Sequence, residues 1–266
     1  MQELIREYYT LEDGTKVPKI GFGCYNPRKQ DYVTIIKTAI DAGYRYFDTA
    51  SLYETERDLA RAIKESGIDR KEVQIASKAW YDELGYEETK AAFNRTQERL
   101  ETDYLDFYML HWPKASENDP DWKEKDQGAW KALTELKKAG KIRHIGTSNF
   151  LPHHLENLEK TTDCAVELDQ LELHIGYSQE LAREYCQKHG ILVQAWGPLG
   201  RGRMNDNRII QDMAAKYGKT FSQIAIRFLL QKGIMPIPKA STREHMVDNA
   251  NVFDFELSTE DMWMLS

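Results

Sequence analysis

From Ile20 onward, short β-branched or aromatic runs alternate with longer amphipathic stretches, the pattern expected when parallel strands are joined by crossover helices. The runs centre on Ile20, Tyr46, Ile75, Tyr108, Ile145, Leu171, Val193 and Ile237, which makes about eight strand-helix units. Between them, Val33, Ile36 and Ile40 fall on one helical face, and Gly43 stands where a left-handed C-terminal cap is needed. Thr220 and Gln223 have the spacing of a capping box, ahead of the apolar positions Ile224, Ala225, Phe228 and Leu229. Before the first unit, Tyr8 to Val17 reads as two extended runs around Asp13-Gly14, a hairpin placed to plug one end of the strand array. The pattern predicts an α/β fold: a single (β/α)8 TIM barrel with an N-terminal β-hairpin. With no repeat and no Pro/Gly/Ser linker, residues 1–266 read as one domain, with residues 1–18 as the hairpin plug.

Composition narrows the partners. Forty-three acidic against 36 basic side chains give a net charge of −7, which argues against a nucleic-acid backbone as partner. The first ten residues lack the pattern of a secretory signal, and no apolar run approaches the roughly 20 residues of a membrane helix. Cys24, Cys164 and Cys186 are odd in number and lack metal-ligand spacing, so they read as reduced thiols in a cytoplasmic protein without a metal site. The longest irregular segment, Lys114 to Gln127, follows a strand end, where barrel enzymes build substrate loops.

Polar residues at the ends of the strands carry the chemistry. Asp48 and Tyr53 lie in GYRYFDTASLYE, Lys78 in IASKAW and His111 in YMLHWP; further along, Ser148, Gln170 and Lys239 hold similar places. Reduction of a carbonyl by a hydride donor needs an acid at the carbonyl oxygen, a group that tunes that acid, and a donor that orients the oxygen. Tyr53 would be the acid, with Lys78 as the cation lowering its pKa, Asp48 keeping Lys78 charged and aimed, and His111 donating to the oxygen. Each has a structural alternative taken singly: a helix cap for Asp48, packing for Tyr53, a solvated amine for Lys78, a satisfied core imidazole for His111. Their joint placement at successive strand ends favours the chemical reading.

GYRYFDTA, the Tyr five residues beyond its Asp, SKAW, LHWP, GTSNF and WGPLG together resemble the signatures of the aldo-keto reductases, of the diketogluconate-reductase-like branch, from about Ile20 to Leu257. The resemblance implies a (β/α)8 barrel, NADP(H) extended across its C-terminal mouth, and Asp48, Tyr53, Lys78 and His111 as the catalytic set. Gly21-Phe-Gly23 is followed by Asn26 rather than a third glycine, so no Rossmann fingerprint is present. By the same resemblance, Ser148, Asn149 and Gln170 would bind the nicotinamide carboxamide. Trp196 would stack on the ring, and Gly197, Leu199 and Gly200 would line the cofactor beyond it. Lys239 would meet the 2′-phosphate, helped by Ser241, with Asn249 at the adenine. Two departures bear on the cofactor: Ala240 replaces the usual Ser or Thr, and His245 replaces an Arg whose guanidinium would grip phosphate with two hydrogen bonds. NADPH remains the first choice and NADH the second.

Tyr25, Trp80 and Trp112, with His111, would line an aromatic slot for a small aldehyde or ketone, such as a sugar-derived or α-dicarbonyl compound. Ser258 and Asp261 look like the start of a final helix, and the relatives' closing C-terminal loop is expected to be shortened. Smaller departures are Asp169 where relatives usually have Asn, Ile175 for Pro, and Glu54-Thr55 for Gly-Asn. A monomer or weak homo-oligomer is expected. The competing readings are a non-catalytic nicotinamide-binding redox sensor on the same fold and a Schiff-base aldolase using Lys78.

Overall fold

The computed structural model describes residues 5, 7–26, 30–114, 118–204 and 206–266. Parts of the expected hairpin segment (1–4 and 6) and of the Lys114 to Gln127 stretch (115–117) lie outside the described residues.

Strands β1 (Tyr8–Thr10) and β2 (Lys16–Pro18) pair antiparallel. Gly14 takes a φ of 88° in their turn, while the Asp13 carboxylate accepts the Thr15 N–H at 2.9 Å. Eight parallel strands come next, each beside its neighbour in the chain: β3 (Phe22–Gly23), β4 (Tyr46–Asp48), β5 (Gln74–Ala79), β6 (Leu105–Leu110), β7 (Ile142–Ser148), β8 (Leu168–Glu172), β9 (Leu192–Trp196) and β10 (Met235–Pro236). The first and last meet: Gly21 N–H donates to Pro236 O at 3.0 Å and Gly23 N–H to Pro238 O at 3.1 Å, which closes the barrel. Glycine suits the close approach at this seam. A Cβ on Gly21 would stand 2.8 Å from the Tyr46 ring, and one on Gly23 would stand 3.2 Å from Ile237 O. Pro236 and Pro238 have no N–H to donate, so the ladder here is short, and these two strands are displaced slightly from the expected centres at Ile20 and Ile237.

Helices α1 (Tyr32–Asp41), α2 (Glu56–Ser66), α3 (Tyr86–Leu100), α4 (Trp122–Lys138), α5 (Pro152–Glu159) and α6 (Glu180–Lys188) follow successive strands. Then come α7 (Arg208–Tyr217), α8 (Phe221–Gln231), α9 (Arg243–Ala250) and α10 (Thr259–Met264). Val33, Ile36 and Ile40 are buried on α1, and Gly43 just beyond it has a φ of 97°. Two apolar layers result. Phe107 and Met109 of β6 point into the barrel with Tyr46, Ala76, Leu168 and Met235, whereas Tyr108 and Leu110 face the helices. Val17 of β2 belongs to the inner layer, and Tyr9 and Leu11 pack against it, so the hairpin covers the N-terminal end of the strands. Catalytic apparatus in this architecture belongs to the opposite end.

The capping box forms as the spacing requires. Thr220 N–H donates to Gln223 Oε1 at 2.9 Å, and Gln223 N–H donates back to Thr220 Oγ1 at 3.3 Å. Thr220→Ala should therefore lower the unfolding free energy by about 1 kcal/mol in urea titration with an unchanged m-value. A loss below about 0.3 kcal/mol would show that the cap adds nothing to α8 beyond its packing.

Candidate active site

Lys78 lies near the end of β5, one strand over from Asp48, and is fully buried. Its Nζ donates to both Asp48 oxygens at 2.7 Å and to the Thr49 carbonyl at 2.9 Å, so all three ammonium hydrogens are engaged. Burial pushes the Lys78 ammonium down from its ordinary value, and Asp48 opposes that shift. The carboxylate also binds Gln170, whose Nε2 donates to Asp48 Oδ1 at 2.9 Å and to Gln194 Oε1 at 3.1 Å. Gln194 in turn donates to the Tyr46 hydroxyl at 2.7 Å. A carboxylate only accepts, so the Gln170 amide is fixed with both N–H groups spent and Oε1 left as its acceptor.

Tyr53 ends a 3-10 turn (Ser51–Tyr53) that leaves β4, and Glu54 after it adopts a left-handed φ of 58°. The turn is held by the Thr49 and Thr55 hydroxyls, 2.9 Å apart, and by Thr55 Oγ1 donating to Cys24 O at 3.0 Å. Glu83 braces it from β5's end, accepting from Ser51 Oγ at 2.7 Å and from the Trp80 N–H at 2.9 Å. The Tyr53 ring centroid is 5.3 Å from Lys78 Nζ, and its hydroxyl lies 3.4 Å from His111 Nε2.

Here the electrostatics depart from the expectation that Lys78 lowers the tyrosine's pKa. Burial drives the Tyr53 phenol well above its ordinary value, and Asp48 adds to the rise. Arg201 is the cation that opposes the shift. His111 is also held neutral: burial, then Lys78, keep its imidazole well below the ordinary value. Its Nδ1 is buried with no hydrogen-bond partner among the described residues. A bare ring nitrogen is a cheaper orphan than an N–H, which places the proton on Nε2, facing Tyr53.

The ends of β7 and β8 are tied to each other and to this group. Ser148 Oγ donates to Gln170 O at 2.9 Å. Asn149, at a φ of 64°, donates through Nδ2 to His111 O at 3.0 Å and accepts the Trp196 Nε1–H at 2.8 Å. The loop beyond Trp196 turns through Gly197 and Gly200, at φ 62° and 59°, and places the Arg201 guanidinium 4.7 Å from the Trp196 ring centroid. At the far end, Lys239 Nζ and Ser241 Oγ both donate to Gln30 Oε1, at 3.3 and 3.0 Å. His245 is exposed on the first turn of α9, and Asn249 is buried on the same helix.

One cleft of about 690 Å³ joins Tyr53, His111, Asn149, Gln170, Trp196 and Lys239. Tyr25, Trp80 and Trp112 form its aromatic wall and Leu199 part of its loop side. Ser148, Gly200, Ser241, His245 and Asn249 are not in its lining, and Lys78 lies beneath it. A smaller groove of about 310 Å³ between the hairpin and Lys232, at the other end of the molecule, contains none of these groups. Sequence reasoning missed three participants. Gln194 could have been found as a polar residue in the middle of an otherwise apolar strand; Arg201 and Gln30 sit in loops with no pattern to expose them.

Residues 19–266 match the Aldo/keto reductase family. The chain belongs to that family. It is 41% identical to the glyoxal reductase of Bacillus subtilis over 98% of its own length and 92% of that protein's. The structure of an aldo/keto reductase from Brucella melitensis superposes with a TM-score of 0.90 at 34% identity, covering 97% of this chain and 98% of that one. An aldo-keto reductase of Bombyx mori, solved in complex with NADP, superposes at 0.87 with 27% identity, covering 97% and 91%. Membership brings the chain into an oxidoreductase family that reduces carbonyl compounds. No described helix is long and apolar enough to cross a membrane.

The buried pair makes a stability prediction for this aldo/keto reductase. Asp48→Leu strands an ammonium without a partner and should cost about 3 to 5 kcal/mol in chemical denaturation, whereas Asp48→Leu with Lys78→Met should cost clearly less than the two single changes summed. Additive losses would show that the two side chains are not coupled.

Proposed function

We propose that this protein reduces small aldehydes and ketones with a nicotinamide cofactor, NADPH before NADH, and that Tyr53 is the acid. The observation that carries the reading is the meeting, in one cleft, of the Tyr53 phenol, the His111 imidazole with Nε2 3.4 Å from that hydroxyl, and a wall formed by Trp196, Asn149 and Gln170. The donor set fits a nicotinamide. Gln170 Oε1 and the second lone pair of Asn149 Oδ1 are acceptors for a carboxamide NH₂, Trp196 offers a flat face, and Lys239 supplies a cation at the far end of the same cleft. Ser148, Gly197, Leu199, Gly200, Ser241, His245 and Asn249 would support it from around that cleft.

A bound nicotinamide supplies the hydride. The residues of this chain do the rest. His111 Nε2–H donates to the substrate oxygen and holds it beside Tyr53, and the phenol, protonated because it is buried, gives its proton to that oxygen as negative charge develops there. Lys78, 5.3 Å from the ring, stabilises the resulting phenolate within the limit that Asp48 imposes. Tyr25, Trp80 and Trp112 exclude bulk solvent on the substrate side. The similarity to a glyoxal reductase supports a small dicarbonyl substrate.

The Schiff-base reading is disfavoured by Lys78 itself, buried outside the cleft lining with every ammonium hydrogen engaged. The sensor reading leaves the acid and the orienting donor without purpose.

Tyr53→Phe should reduce carbonyl turnover by at least about 10²-fold with nearly unchanged cofactor affinity. Comparable turnover would remove Tyr53 from the proton role. His245→Arg should raise the NADPH-to-NADH ratio of kcat/KM, since a guanidinium grips a phosphate where an exposed imidazole does not. An unchanged ratio would place the 2′-phosphate elsewhere.

A further inference from the structure

The 3-10 turn that carries Tyr53 is held from its two ends. Just past it, Thr55 is tied to Thr49 and to Cys24 O. At its start, Ala50 has no side chain with which to cap the turn, and Leu52 in its middle is exposed, so the outer face is not packed. The side-chain tether at this end is Ser51, whose Oγ donates to Glu83 Oε2 at 2.7 Å from 32 residues away in the chain. The same oxygen accepts the Trp80 N–H at 2.9 Å, and Oε1 accepts from Arg95 Nη2 at 2.8 Å.

Trp80 in turn bears on His111. Its ring meets the imidazole edge to face, with centroids 4.6 Å apart. His111 relies on such a neighbour, because its Nδ1 has no hydrogen-bond partner among the described residues; ring contacts with Trp80 and, at 5.5 Å, with Tyr53 orient it instead. One carboxylate therefore fastens both flanks of the 3.4 Å approach between the Tyr53 hydroxyl and His111 Nε2. Burial would raise the Glu83 carboxyl, but hydrogen bonds from Arg95, Ser51 and the Trp80 N–H hold it below its ordinary value, so at neutral pH it only accepts. Capping of its own 3-10 turn (Tyr81–Glu83) accounts for the bond to Trp80 but not for the bond to Ser51, which belongs to a different loop.

We propose that Glu83 is a positioning residue that sets the approach of Tyr53 to His111 by holding Ser51 and Trp80 on one carboxylate oxygen. The proposal rests on the reading that Tyr53 is the acid and His111 the orienting donor. A proton passes efficiently only between groups held in place, and a misplacement of about 1 Å costs on the order of 10²-fold in rate. Neither Glu83 nor Ser51 is in the lining of the cleft. Loosening the tether should therefore slow the chemical step and leave cofactor binding alone.

The test measures single-turnover oxidation of bound NADPH by saturating methylglyoxal, together with Kd for NADPH. The variants are Ser51→Ala, Glu83→Ala and Glu83→Gln, with Ser51→Ala made again in a Tyr53→Phe background. Ser51→Ala should slow the step about tenfold and keep Kd within about twofold of wild type. Glu83→Ala should be slower still, and Glu83→Gln should return to within about threefold of wild type, because its amide keeps an oxygen for Ser51 and Trp80 while the half-exposed Arg95 turns to water. With Phe at position 53, Ser51→Ala should cost nothing further, since a tether that acts through the phenol then has nothing to place. A bond that only supports the fold would slow both backgrounds alike. An undiminished rate in Ser51→Ala, or an equal loss in the two backgrounds, overturns the inference while the acid reading stands. Comparable turnover in Tyr53→Phe, or a wild type that does not turn over methylglyoxal, removes the acid reading and the inference together.

Discussion

The buried contact between Lys78 and Asp48 is the constraint on which the site depends. Two opposite charges at 2.7 Å, shielded from water, are tolerable only if the remaining lone pairs and hydrogens are also matched. That requirement recruits Thr49 O and Gln170, and through Gln170 it recruits Gln194 and Tyr46, so that β4, β5, β8 and β9 are linked across the barrel interior. The pair is nearly neutral as a unit. Burial, with Asp48 adding to it, keeps the phenol above the pair protonated, and under the proposed reaction an acid in that state is what a carbonyl oxygen needs.

The barrel divides its labour between its two ends. At one, the hairpin seals the inner layer with Val17, and ion pairs such as Arg143 and Arg70 with Asp106 tie the strand starts together. At the other, the strand ends are left to carry functional groups, each on a short excursion of its own: a 3-10 turn for Tyr53, a left-handed residue for Asn149, a glycine-rich loop for Arg201. The seam between β3 and β10, where Gly21 and Gly23 leave room for the close approach, brings Lys239 round to the same cleft as Tyr53. Closure is thus a condition of the site as well as of the fold.

Much of this was legible in the sequence, for identifiable reasons. Strands buried on both faces read as apolar runs, and a polar residue ending such a run, as at Asp48 or Ser148, stands out. Caps were legible because Thr220 and Gln223 satisfy each other locally. What could not be read depends on distance rather than order. The upward shift on Tyr53 turns first on the burial of its phenol and then on how closely Asp48 approaches it, which spacing along the chain does not encode. Arg201 over Trp196, and Gln30 between Lys239 and Ser241, are loop contacts without periodicity. The tie from Ser51 to Glu83 joins residues 32 apart in two different loops and follows from no pattern along the chain.

The central claim is that the phenol in the cleft stays protonated because burial disfavours its charged form and Asp48 adds to that effect. The most direct measurement is an NMR titration of protein labelled with carbon-13 at the tyrosine Cζ, with the Tyr53 resonance identified by its loss in Tyr53→Phe. The account predicts that this carbon keeps the shift of a neutral phenol beyond pH 10, after exposed tyrosines have begun to ionise. A phenolate shift at or below about pH 8 would contradict it, and would return to Lys78 the role of an unopposed cation.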